Sequence, residues 1–109
     1  MTKPEPQIIT QPPRSSADQC FTSETSGCPQ KWDTFLCWPQ SETNSVVAIP
    51  CNASNPFVEI VMETRPSFSK ELIPGLAYHY CQPNGHWANK TDYSECTTFL
   101  VIMQLRGYL

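Results

Sequence analysis

The sequence has no long apolar run. Its longest uninterrupted stretch, Phe99–Met103, falls far below the roughly 20 residues that cross a bilayer as a helix, so no membrane span is expected. Met1-Thr2-Lys3-Pro4 opens a polar, proline-dotted segment without the apolar centre of a secretory leader. Charge is scarce: 7 Lys and Arg stand against 10 Asp and Glu, a net −3. That argues against nucleic acid and at most slightly favours the approach of a basic ligand. Histidine is limited to His79 and His86, and no serine or cysteine sits in a recognisable nucleophile setting, so an enzyme is not expected. No Cys-x-x-Cys pair occurs, and successive cysteine spacings of 8, 9, 14, 30 and 15 match no zinc framework. Neither a metal nor a cofactor is expected. Glycine is sparse, 4 residues against 11 prolines, and a chain of 109 residues that is 39% apolar can bury only one small core.

What the chain does have is cysteine. The six at 20, 28, 37, 51, 81 and 96 read as three disulfides formed in an oxidising, extracellular compartment, although their spacing leaves many pairings open. Covalent staples of this kind are expected to carry much of the stability of so small a core. Two N-glycosylation sequons, Asn52-Ala53-Ser54 and Asn89-Lys90-Thr91, agree with that compartment. Asn55 precedes Pro56 and forms none.

Residues 1–14 are expected to be disordered, because Pro4, Pro6, Pro12 and Pro13 deny helix continuation and few apolar groups hold the segment down. Ser15-Ser16-Ala17-Asp18 offers caps for a short helix reaching Thr25, ended by Gly27. Thr34–Trp38 reads as a strand stopped by Pro39, and Val46–Ile49 as a second stopped by Pro50, the two forming an antiparallel hairpin across a polar turn. A second hairpin joins Ala77–Cys81 to His86-Trp87-Ala88 through Asn84-Gly85, the strongest short turn signal. Tyr93–Cys96 is expected to pack back on the sheet. Residues 52–76 read as a long surface loop, in which Phe57–Met62 fits a strand or a helical turn equally well. The fold class is therefore a small disulfide-rich α+β domain: a short N-terminal helix on two antiparallel hairpins.

Trp32-Asp33-x-x-x-Cys37-Trp38-Pro39, Asn84-Gly85-His86-Trp87 and Tyr93-x-x-Cys96 fall in order among the six cysteines. Together they resemble the extracellular hormone-binding domain of secretin-family (class B) G-protein-coupled receptors, over roughly Asp18–Phe99. The resemblance implies the pairing Cys20–Cys37, Cys28–Cys81 and Cys51–Cys96. It implies structural core roles for Trp32, Asp33, Trp38, Pro39, His79, Gly85 and Trp87. It also divides the chain into a leading segment (1–14), a hormone-receptor domain (15–99) and a tail (100–109) running towards a membrane domain. In that family the aspartate pairs with an arginine lying two residues before the fifth cysteine, whereas this chain has His79 there. Asp33 is then expected either to pair with His79 and raise its pKa, or to cap a turn, or to meet Lys31, Arg65 or Lys70. Two further departures are Asn52 after the fourth cysteine and a long Cys51–Cys81 interval.

The resemblance further implies a binding module that holds the C-terminal part of a peptide hormone as an amphipathic helix in a groove. Its full-length receptor would couple to a heterotrimeric G protein from the plasma membrane. Groove candidates are Phe21, Phe57, Thr91, Asp92, Tyr93 and Phe99, with the Tyr93 hydroxyl available to bond ligand. The alternative is a secreted, disulfide-rich binding protein or decoy without a membrane domain.

Overall fold

Ser45–Pro50 (β4) is a run of Val46, Val47, Ala48 and Ile49, all buried, and it forms the centre of the larger sheet. A strand buried on both faces needs partners on both edges. One is Leu76–Cys81 (β5), antiparallel to it, with Val47 opposite His79 and Ile49 opposite Ala77. The other is Pro6–Ile8 (β1), which runs parallel, with Gln7 opposite Val47. The computed structural model describes residues 4–9, 20 and 26–105, with side chains as far as Met103. The expected N-terminal helix and Phe21 lie outside these residues.

Several expectations need correction. The supposedly disordered leading segment supplies β1. Proline is tolerated there because an edge strand needs only some of its N–H groups, and Ile9 N–H donates to Ala48 O at 2.8 Å while its side chain packs on the core. The first hairpin also has different partners. Cys37-Trp38 (β3) pairs with Lys31-Trp32 (β2) in a separate two-stranded sheet, not with Val46–Ile49. The second hairpin forms around Gly85, at φ +85°, with Cys81 bridged to Trp87.

The 52–76 stretch contains a helix, Asn55–Thr64 (α1). Buried Ser54 caps it by accepting from Phe57 N–H at 3.2 Å, and Pro56 sits in its first turn, where a missing N–H costs nothing. Phe57 and Val61, four residues apart, are its buried face, and Pro66 follows soon after its end. The supposed tail is also helical: Ser94–Leu105 (α2) crosses the boundary drawn at residue 99. Its first turn is capped by Asp92 Oδ1, which accepts from Ser94 N–H at 3.0 Å. Cys96 and Met103 are buried, with Phe99 and Leu100 packed beside them, the i, i+4, i+7 pattern of one helix face. Glu95 ties α2 to β5, accepting from Leu76 N–H at 2.8 Å and from the Tyr78 hydroxyl at 2.7 Å.

The disulfides are Cys20–Cys37, Cys28–Cys81 and Cys51–Cys96. Cys28 also exchanges backbone hydrogen bonds with Ser41. Gly27, at φ +72°, makes that exchange possible, since a Cβ there would lie 2.2 Å from Ser41 O. Gly27→Ala is expected to cost about 1–3 kcal/mol, read as a lower unfolding midpoint of the oxidised domain. An unchanged midpoint would show that the Cys28–Ser41 bridge contributes nothing.

Candidate functional site

Asp33 organises the site. Its Oδ1 accepts from the backbone N–H of Phe35 at 3.0 Å and of Leu36 at 2.8 Å, closing the turn between β2 and β3. That turn holds Thr34 at φ +94°, a conformation strained for a β-branched residue and sustained only by its surroundings. Oδ2 accepts from Trp38 Nε1 at 2.8 Å, from the Thr91 hydroxyl at 2.9 Å and from the Tyr93 hydroxyl. Burial alone would raise the pKa of this carboxyl. The hydrogen bonds from Tyr93, Trp38, Leu36 and Phe35 outweigh it and hold the group below the usual carboxylate value. Burial and the Asp33 charge push the Tyr93 hydroxyl up, so it stays a neutral donor.

Of the alternatives open to Asp33, the turn cap is the one found; His79 bonds elsewhere. Its ring stacks on Trp87 with centroids 4.5 Å apart and meets Trp38 edge-on at 5.2 Å. Its Nε2–H donates to Ala88 O at 3.1 Å, and buried Nδ1 has no hydrogen-bond partner. Burial lowers the His79 pKa, a correction to the raised value that an ion pair would give. Trp87 Nε1 donates to Pro29 O at 2.7 Å. Pro39 is half-buried after β3, and Trp32 is half-buried opposite Cys37.

Beside this cluster lies a groove of about 260 Å³ whose exposed surface is wholly apolar. Phe35 and Leu36 from the Asp33 turn form one side, Phe57 and Ile60 from α1 another, and Tyr93, Thr97 and Leu100 a third, with Cys51 and Cys96 between the two helices. Tyr93 stands edge-on to Phe35 at 5.6 Å. Ile60 is 41% exposed, so an apolar side chain is left at the rim with nothing packed over it.

Two of the expected groove residues, Phe57 and Tyr93, meet here. The Tyr93 hydroxyl is already committed to Asp33, so only its ring faces the groove. Thr91 points its hydroxyl at Asp33 as well. Asp92 bridges the backbone of Tyr78 and caps α2. Phe99 packs on Phe68 at 5.7 Å and lines a different cleft with Pro74 and Ile102. Asn89 is exposed, while Asn52 is half-buried and donates to Lys70 O at 3.3 Å. Phe35, Ile60, Thr97 and Leu100 were not foreseen. Tyr93, Thr97 and Leu100 recur at i, i+4 and i+7, a signal readable once Ser94 onward is treated as a helix.

Residues 25–99 match the family described as "Hormone receptor domain". The chain belongs to that family. This hormone receptor domain is of the type found outside the membrane in class B receptors, and it is not an enzyme family. It is 32% identical over 96 residues to the parathyroid hormone/parathyroid hormone-related peptide receptor of Sus scrofa, covering 81% of this chain and 14% of that protein. It is 33% identical over 76 residues to the parathyroid hormone 2 receptor of Mus musculus, covering 63% of this chain and 12% of that protein. A shorter match, 45% over 29 residues, covers 27% of this chain and 6% of the vasoactive intestinal polypeptide receptor of Meleagris gallopavo. The chain spans about a seventh or less of the length of these receptors. Among the described residues, no helix is long and apolar enough to cross a membrane.

Proposed function

We propose that this hormone receptor domain takes a peptide hormone of the parathyroid hormone type in the groove between α1, α2 and the Asp33 turn. The peptide docks as an amphipathic helix. The observation that carries this reading is the groove itself: apolar throughout, flanked by two helices, and walled by aromatic rings that Asp33 and the Cys51–Cys96 bridge hold in place. Helical ligands present apolar side chains at i, i+3, i+4 and i+7, and a trough of this shape receives them. A hormone disordered in solution must be ordered on binding, so the domain alone gives modest affinity. In a full-length receptor the other end of the hormone would engage a membrane domain that couples to a G protein, and the two contacts would reinforce each other. Three disulfides suit the outer face of the plasma membrane.

Ile60→Asp tests the reading. The side chain is part-exposed on α1, so folding should survive while a charge enters the apolar rim. Binding of a parathyroid hormone peptide, measured by calorimetry, is expected to weaken by about tenfold or more, the cost of spoiling one anchor pocket. Unchanged affinity would place the ligand elsewhere.

A further inference from the structure

We propose that the Trp38–His79–Trp87 cage is an acid-sensitive joint. A proton taken up by the buried imidazole loosens the Asp33 cluster that holds Tyr93 in the groove wall, so ligand is released as the surroundings acidify. The inference rests on reading the groove as the ligand site.

The geometry leaves His79 one open position. Its bond to Ala88 O fixes the proton on Nε2, so Nδ1 is a bare lone pair, buried without a donor in a residue only 2% exposed. Protonation turns Nδ1 into a donor with no acceptor. The face of Trp87 can favour a cation above it, but it cannot accept in the plane of the imidazole. The new N–H must therefore find water by opening the cage, or draw in the Asp33 carboxylate. Either movement disturbs Asp33, whose Oδ2 is shared by Trp38, Thr91 and Tyr93. Trp38 touches both His79 and Asp33, and Tyr93 touches both Asp33 and the groove.

The groups around the ring set the sign. Lys31 on β2 opposes a charge there, and Asp33 favours one. Lys90 and Tyr93 line the same cleft as His79. The sheet neighbour on β4 is apolar Val47, and the two caging rings are neutral. Desolvation outweighs Asp33, so the closed cage binds its proton less readily than an opened one, whose His79 would titrate near the ordinary 6.5. The closed state is thus fully favoured above that value. It loses about tenfold in its equilibrium for each pH unit below it, until the closed cage itself takes the proton.

The test compares the oxidised 109-residue chain with His79→Gln, which can still donate to Ala88 O but does not titrate. Affinity for a parathyroid hormone peptide is measured at about pH 7.5 and about pH 5. In parallel, nuclear magnetic resonance follows the His79 ring nitrogens, the Trp38 indole N–H and Tyr93 in the free protein. The wild-type chain is expected to bind at least about threefold more weakly in acid, with His79, Trp38 and Tyr93 moving at one midpoint below the ordinary histidine value. His79→Gln is expected to lose this acid effect. An equal acid loss in both proteins, or none in either, overturns the proposal. Should His79→Gln fail to fold, separate midpoints for His79 and Tyr93 in the wild-type chain overturn it, and a shared midpoint supports it. Should no peptide bind at neutral pH, the groove reading fails, while the free-protein midpoints still decide whether the joint exists.

Discussion

Asp33→Asn is expected to remove about 3–5 kcal/mol of stability and with it most secretion of folded protein. The substitution is nearly isosteric, so the loss comes from hydrogen-bond direction and charge. Oδ2 of the wild-type carboxylate accepts from three donors, Trp38 Nε1, Thr91 and Tyr93, while Oδ1 accepts two backbone N–H groups. An amide has one oxygen. If that oxygen keeps the turn, its NH₂ faces three donors; if it turns towards them, Phe35 and Leu36 lose their acceptor. Trp38 is fully buried, so water cannot replace the missing partner there. Hydrogen bonds to a charged acceptor are worth about 1.5–3 kcal/mol each and are not additive within one cluster, which sets the range. The loss is large against a domain stability of roughly 5–15 kcal/mol. Acid should reproduce part of it in the wild-type chain. The Asp33 pKa is lowered in the folded state, so its contribution is complete above the unfolded value and fades as pH falls through the folded one. Denaturant unfolding across that acid range is the measurement. Matching midpoints for Asp33→Asn and wild type at neutral pH would show that the cluster does not hold the fold.

The sequence was most readable where local chemistry decides structure and least where distant partners do. Asn84-Gly85 sets a turn with its own backbone preferences, so the hairpin from β5 to Trp87 could be read directly. Val46–Ile49 was recognisable as a strand, but its partners are β5, some thirty residues on, and β1 near the start of the chain. No local pattern names such partners, and the sequence offers a nearer β-rich run at Thr34–Trp38 as the more obvious one. In α1, Val58, Ile60 and Val61 favour strand by propensity, and the tertiary burial of Phe57 and Val61 overrides it. The Ser54 cap and Pro56 in the first turn start this helix, and the reading of 52–76 as a loop uses neither of them. Phe99–Met103 is too short and too uniformly apolar to show a period by itself; its helix emerges only when Tyr93 and Cys96 are counted with it. Asp33 stands out in the sequence because a carboxylate among tryptophans demands partners. Which partners it takes depended on three segments converging, and the family's arginine suggested a cation where this chain supplies five neutral donors.

Replacing Cys51 and Cys96 together with serine is expected to cost about 4 kcal/mol and to abolish peptide binding. The bridge closes a sequence separation of 45, and the chain-entropy model assigns about that much to a loop of this length. Its position adds a second effect. Cys51 begins the turn that leads from β4 into α1, and Cys96 lies in the first turn of α2, so one bond ties the two helical walls of the groove together. Both cysteines are buried, and two unpaired hydroxyls in their place would sit in apolar surroundings at a further cost. The Glu95 bonds to Leu76 and Tyr78 still anchor the start of α2 on β5, but they run to the sheet and not to α1. Loss of the bridge should therefore be uneven. Hydrogen exchange is expected to show α2 amides losing protection first, while the β4 and β5 amides keep theirs, held by the Cys28–Cys81 bridge and six paired positions. Removing Cys20–Cys37, which closes a separation of only 17, should cost less, about 3 kcal/mol in the same model, and should leave the exchange of α2 unchanged. Equal loss of protection in both helices and in the central sheet would mean that Cys51–Cys96 holds the whole core, and that the groove walls have no stability of their own to lose.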